Sequence, residues 1–213
     1  MNDILKKLFD AILEGDQHTA AIQVQAAIDA GIDPSEILNQ GMVAAMSEVG
    51  RLFEQGEFYV PEMLIAARAM QASMVILKPK LVQNNVKSAG KVFIGTVKGD
   101  LHDIGKNLVA LMLEGAGFEI HDLGSDVTPE KFVEVIRPER GCLVALSALL
   151  TTTMPSMKTI IDAISAAGLR QNVKIMVGGA PVTEAFSQQI GADGFASDAS
   201  RAVALAHHLV EAF

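Results

Sequence analysis

The chain has 213 residues, half of them apolar, enough to bury one large core or two small ones. A formal net charge of −8 argues against nucleic acid as the main partner, because phosphate binding needs clustered lysine and arginine. No uninterrupted apolar run approaches the roughly 18 residues of a membrane span. The start, Met1 to Lys7, lacks the apolar core of a signal peptide. The single cysteine, Cys142, excludes an internal disulfide and, inside an apolar run, reads as a buried, inert thiol. The cytoplasm is the expected compartment.

In residues 1–83 every apolar pattern is helical. Leu5, Leu8, Phe9 and Ile12 form one stripe that ends at Gly15, and a second helix runs from Asp16 or Gln17 to Ala30, stopped by Gly31. Asp33-Pro34-Ser35-Glu36 supplies an N-cap, a first-turn proline and a capping-box glutamate. The third helix carries Leu38, Met42, Ala45, Val49 and Leu52 on one side. Pro61 opens a fourth, where Met63, Ala67, Met70, Met74 and Leu77 alternate spacings of four and three. Four helices with short links predict a small bundle over 1–83. Residues 84–90 are polar and without period, and read as a linker and hinge.

From 91 to 213 strands and helices alternate. Strands are predicted at 91–97, 118–122, 142–147, 173–177 and 194–196, with helices at about 105–116, 128–137, 155–167, 181–190 and 199–212. Five βα units imply an α/β domain with a parallel sheet, in the flavodoxin- or Rossmann-like manner. The expected strand order is 2-1-3-4-5, with a ligand-binding switch point between strands 1 and 3.

That order sets three unusual loops side by side. The first holds Asp100, His102, Asp103, Ile104 and Gly105. The second, from Ser147 through Leu149, Thr151 and Thr153 to Met154, is rich in hydroxyls. The third is Gly178-Gly179-Ala180, where missing side chains leave room for something bulky to approach the backbone. An exposed histidine beside a carboxylate is the arrangement of a metal ligand and its supporting partner, or else an ordinary polar turn. Neither G-x-G-x-x-G nor G-x-x-x-x-G-K-[ST] follows strand 1, which excludes the usual nucleotide sites. A flavin phosphate would want hydroxyls and glycines where Asp100 stands, and a phosphoacceptor domain would want an aspartate where Ser147 ends strand 3. Protein-only zinc needs three or four ligands, whereas His18, His121, His207 and His208 have no visible partner set. One histidine suffices if a macrocycle supplies the metal's other bonds.

Asp100-Leu101-His102-Asp103-Ile104-Gly105, the serine of strand 3 and the double glycine of strand 4 together resemble the D-x-H-x-x-G…S-x-L…G-G signature of cobalamin-binding domains. The helical half, marked by residues 49–63, is similar to the cap module of methionine synthase and of corrinoid proteins in methyltransferase systems. The resemblance covers nearly the whole chain. It implies that His102 is the lower axial ligand of cobalt, replacing the cofactor's dimethylbenzimidazole, and that Asp100 accepts its other N–H. Thr153 stands where methionine synthase continues the relay with a serine. The resemblance further implies that Ser147, Leu149 and Thr151 line the slot for the nucleotide tail and that Gly105, Gly178, Gly179 and Ala180 leave room for it. Asp103, Ile104 and Met154 belong to the same binding set. Phe53 and Val60, with Met63, match residues that cover the methyl-bearing face; as bundle core they would be equally at home.

A methyl carrier follows from the resemblance: cobalt takes a methyl group from a donor-specific methyltransferase and passes it to a folate- or thiol-dependent acceptor methyltransferase. A reductive activase is an implied third partner. The chain offers no barrel-sized substrate domain, so it reads as a carrier subunit. The alternative is a cobalamin-dependent sensor, whose DNA-binding segment and tryptophan-bearing cap are missing here. Adenosylcobalamin mutase subunits lack this helical half.

Overall fold

The structure, a computed structural model, describes residues 2–84, 86 and 88–213. Helix starts are set by side chains that accept otherwise orphaned backbone N–H groups. Asn2 accepts from Ile4 at 2.9 Å to open α1 (Asp3–Leu13), and Asp16 accepts from Thr19 at 3.0 Å to open α2 (Gln17–Asp29). Asp33 accepts from Ser35 at 2.8 Å ahead of the single turn α3 (Pro34–Glu36).

The third predicted helix is not uniform. After α3 the chain winds as a π-helix over Ile37–Val43, with the Ala44 N–H reaching the Asn39 carbonyl, before α4 (Ala44–Glu54) resumes ordinary spacing. A π turn inserts one residue, and here it brings backbone against α1. A Cβ on Gly41 would stand 2.8 Å from Leu8 Cδ2, so a larger residue there would make the buried Leu8 side chain shift. Leu38, Met42, Ala45 and Val49 are still buried, as their spacing predicts.

Helix α5 (Val60–Gln83) opens with Pro61 in its first turn and the Glu62 carboxylate accepting the Tyr59 N–H at 2.9 Å. Met63, Ala67, Met70 and Leu77 are buried, and α2 is among the helices it packs on. Pro79 lies inside the helix and removes one backbone hydrogen bond near its end. Among the described residues α5 alone is long and apolar enough, by length and composition, to cross a membrane. Its buried stripe within the bundle is what a core helix of this length shows.

The chain folds as two compact units, Met1–Ser88 with Gly115–Gly117, and Ala89–Glu114 with Phe118–Phe213. The proposed linker 84–90 straddles that division; Asn85 and Lys87 lie outside the described residues.

In the second unit β1 (Lys91–Thr96), α6 (Ile104–Gly115), β2 (Glu119–Asp122), α7 (Pro129–Ile136) and β3 (Cys142–Ser147) are followed by α8 (Pro155–Ala166) and β4 (Val173–Gly178). Helix α9 (Glu184–Ile190), β5 (Gly194–Ala196) and α10 (Ala199–Val210) complete it. All pairings are parallel and the strand order is β2-β1-β3-β4-β5, as five βα units predict. Strand residues alternate between the faces. Phe93, Val144, Leu146, Ile175 and Val177 pack with Phe132, Ile136, Met157, Ile160 and Ile190 from α7, α8 and α9. Right-handed crossovers place α6 on the opposite face. Cys142 is buried in β3, and burial pushes its thiol up to about 11, so thiolate is scarce at neutral pH.

Candidate functional site

Strand β1 ends at Thr96, and Val97 to Asp100 form a tight turn closed by the Asp100 N–H on the Val97 carbonyl at 3.1 Å. Gly99 sits at φ +86° in the third position, which makes the turn type II and explains the glycine. The turn delivers the Asp100 side chain, with no exposed surface, into the space between the β1 and β3 loops.

There the carboxylate is surrounded by donors. Its Oδ1 accepts from the His102 backbone N–H at 3.1 Å and lies 2.7 Å from His102 Nδ1. Its Oδ2 accepts from the Thr153 hydroxyl at 2.6 Å and from the N–H groups of Leu149 at 2.8 Å and Leu150 at 3.3 Å. Burial works to raise the carboxyl's pKa. The hydrogen bonds from Thr153, Leu149 and both His102 donors outweigh it and hold the group well below the usual carboxylate range. Asp100 is therefore ionised at any working pH and can only accept. In neutral His102 the proton must then sit on Nδ1, leaving the Nε2 lone pair free as a ligand. The His102 side chain is 52% exposed.

Four large apolar side chains flank this group in the two loops and face solvent: Leu101 (74% exposed), Ile104 (83%), Leu149 and Leu150 (both 42%). Apolar residues gathered in polar loops signal a surface meant to be covered. Among the described residues no three His, Cys, Asp or Glu side chains gather as metal ligands.

The remaining predicted residues fall in two places. Ser147 ends β3, in register with Thr96 on one side and Gly178 on the other. Asp103, Gly105, Thr151 and Ala180 are exposed and Met154 is half-buried along the same sheet edge. Phe53, Val60 and Met63 belong to the helical unit. Phe53 is half-buried near the end of α4, Val60 is 41% exposed beside exposed Tyr59, and Met63 shows no surface at all.

The glycines divide by cause. A side chain at Gly105 would meet nothing within 4 Å, so that position does leave open space. Gly179 is small for another reason: at φ +127° its Cβ would stand 1.9 Å from the Ala148 carbonyl oxygen, so the β3 and β4 loops touch backbone to backbone. A Cβ on Gly178 would lie 3.1 Å from the Ala196 carbonyl. Gly179→Ala is accordingly expected to destabilise the fold by at least about 2 kcal/mol. Differential scanning calorimetry of the cofactor-free protein should show a melting temperature lower by roughly 4–8 °C.

Two supports were not legible as motifs. The buried Thr96 hydroxyl donates to the His102 carbonyl at 2.9 Å; a hydroxyl ending an otherwise apolar strand was its signal. Lys106, buried at the start of α6, pairs with Asp122 at 2.5 Å and anchors the helix that follows the His102 loop. A lysine directly after the motif glycine gives no such hint.

Both parts of the chain match family models described as B12 binding domains, residues 4–78 one and 90–204 the other. Dimethylamine corrinoid protein 1 of Methanosarcina acetivorans is 43% identical over 209 residues, covering 98% of each chain. Trimethylamine corrinoid protein 1 of the same organism is 44% identical over 203 residues, 94% of each. Among solved structures, a cobalamin-binding protein from Desulfitobacterium hafniense superposes with TM-score 0.79 at 32% identity, over 97% of this chain and 98% of that one. A chain of the methanol:cobalamin methyltransferase complex from Methanosarcina barkeri gives TM-score 0.86 at 28% identity, over 100% of this chain and 81% of its own. The cofactor is thus a corrinoid, and the chain belongs to the B12-binding corrinoid proteins, the methyl carriers of corrinoid-dependent methyltransferase systems.

Proposed function

We propose that His102 Nε2 is the lower axial ligand of the corrinoid cobalt, with the cofactor's own benzimidazole displaced, and that the methyl donor is a methylamine. The single observation that carries the ligand assignment is the 2.7 Å contact of His102 Nδ1 with a buried, ionised Asp100. It leaves one outward-facing lone pair among exposed apolar side chains. The site fits the group: a macrocycle supplies the metal's other donors, Leu101, Ile104, Leu149 and Leu150 offer it an apolar seat, and the space beside Gly105 is open.

When bound, the corrinoid supplies a nucleophilic metal that accepts and releases a methyl group. The chain's own residues hold the ligand ready for that chemistry. Asp100 fixes the tautomer and orientation of His102 through the contact at Nδ1. Thr153 and the Leu149 and Leu150 N–H groups hold Asp100 ionised in return. In this reading Ser147, Thr151, Met154 and Ala180 line the course of the nucleotide tail along the sheet edge. Residues 84–90 link the helical unit to the sheet unit.

The methylamine assignment rests on relatives named for dimethylamine and trimethylamine at 43% and 44% identity over nearly the full length, against 28% for the methanol system. The acceptor in the proposal is a folate- or thiol-dependent methyltransferase, with a reductive activase restoring inactive carrier, all in the cytoplasm. Reconstituted, reduced protein should be methylated in minutes by a dimethylamine or trimethylamine methyltransferase plus its amine, read by the visible absorption of the corrinoid. Methylation by a methanol methyltransferase and by neither amine enzyme would overturn the donor assignment.

A further inference from the structure

Asp100 leaves a type II turn whose central peptide, Lys98–Gly99, is held at both polar atoms by side chains from outside the loop. The Lys98 carbonyl accepts from the Ser156 hydroxyl of α8 at 3.0 Å. The Gly99 N–H donates to Asp126 Oδ1, in the loop after β2, at 2.7 Å. The Asp126 N–H then donates to the Asp100 carbonyl at 3.0 Å, which fixes the Asp100–Leu101 peptide as well. Among the described residues Asp126 is the one non-glycine with positive φ, at 55°. A side-chain-bearing residue in that conformation is strained, and such strain collects where a site has to be held.

We propose that Asp126 and Ser156 are positioning residues that set the tautomer of His102 from a distance, by locking the flipped Lys98–Gly99 peptide and so the aim of the Asp100 carboxylate. Neither touches His102. In a type II turn the central N–H and C=O point opposite to their directions in a type I turn. With a donor waiting on one flank and an acceptor on the other, only the flipped peptide satisfies both. Once that peptide turns over, the N–H side of Asp100 must rotate about a carbonyl still held by the Asp126 N–H, which re-aims the Asp100 side chain. Its carboxylate then cannot meet His102 Nδ1 on one side and the β3-loop N–H groups on the other at once. The Val97–Val127 bridge and the Thr96 N–H on the Gly124 carbonyl at 3.0 Å keep the β2 loop itself in place.

The role rests on the reading of His102 as the ligand, but its test does not need the cofactor. In the cofactor-free full-length chain with 15N-labelled histidine, ring-nitrogen shifts at about pH 9, above the ordinary histidine range, report the tautomer directly. Wild type is expected to be mainly Nδ1–H. Asp126→Gly keeps the positive φ and removes only the acceptor; Ser156→Ala removes the opposite arm from a different element. Each should lower the Nδ1–H to Nε2–H ratio by roughly three- to tenfold, the range of one net hydrogen bond. Asp126→Asn, which can still accept from Gly99 and tolerates that φ, should stay within about twofold of wild type. A purely structural role would lower melting temperature and leave the ratio alone. A wild-type ratio in either Asp126→Gly or Ser156→Ala overturns the inference, and so does Asp126→Asn behaving like Asp126→Gly. Failure of His102 to bind cobalt would show separately, in the spectrum of unmodified holoprotein.

Discussion

His102→Gly is expected to bind corrinoid weakly and to show the absorption of cofactor whose lower face carries water, with no histidine-ligated features. The physical reason is that the variant deletes the exposed imidazole whose Nε2 lone pair the proposal places on the metal. The loss in affinity should exceed the roughly 10- to 100-fold typical of removing a group that merely supports a ligand. Binding should not vanish, because the seat of Leu101, Ile104, Leu149 and Leu150 remains. Free imidazole added to the variant should restore the wild-type spectrum, since glycine leaves the space of the ring. An absorption spectrum identical to wild type without imidazole would remove His102 from the site.

Asp100→Asn should do nearly as much without touching the ligand. An amide presents one acceptor and one NH2 where the carboxylate presents two acceptors to five donor contacts. If the amide oxygen faces the β3 loop, its NH2 opposes His102 Nδ1–H, and the imidazole moves its proton to Nε2, where it blocks ligation. If the oxygen faces His102, the Leu149 N–H and Thr153 hydroxyl lose their acceptor, at about 1–3 kcal/mol for a buried donor. Affinity measured by corrinoid titration should fall about 10- to 100-fold. Stability should respond to acid as well. Because folding lowers the Asp100 pKa, its contribution is complete above about pH 4, shrinks as pH falls below that, and is gone beneath the lowered value. Acid titration of melting temperature should therefore fall more steeply for wild type than for Asp100→Asn; parallel curves would mean the carboxylate is not held as described.

How far the sequence reaches can be seen residue by residue. Five βα units and the right-handed crossover rule leave few strand orders, and β2-β1-β3-β4-β5 is the one adopted. The Asp100–His102 pair was legible as a carboxylate beside a histidine in the loop after β1, and Thr153 through the resemblance to the relay of methionine synthase; the structure joins all three. What was not legible is made of backbone. The Leu149 and Leu150 N–H groups leave no mark in residue type, and Gly99 marks the flipped Lys98–Gly99 peptide without naming the partners that hold it. The π turn at Ile37–Val43 is hidden because one inserted residue still fits a pattern of threes and fours. Gly179 was readable as small but not as to why: a ligand and the Ala148 carbonyl ask for the same missing side chain.

The most direct measurement is electron paramagnetic resonance of the cobalt(II) holoprotein made with 15N-histidine and unlabelled cofactor. A nitrogen bound below the metal splits each cobalt line, into three for 14N and into two for 15N. Coordination by His102 predicts doublets that revert to triplets when the histidine is unlabelled. Triplets that persist with labelled histidine would mean the cofactor's own base remains on the metal, and the account of this site would be wrong.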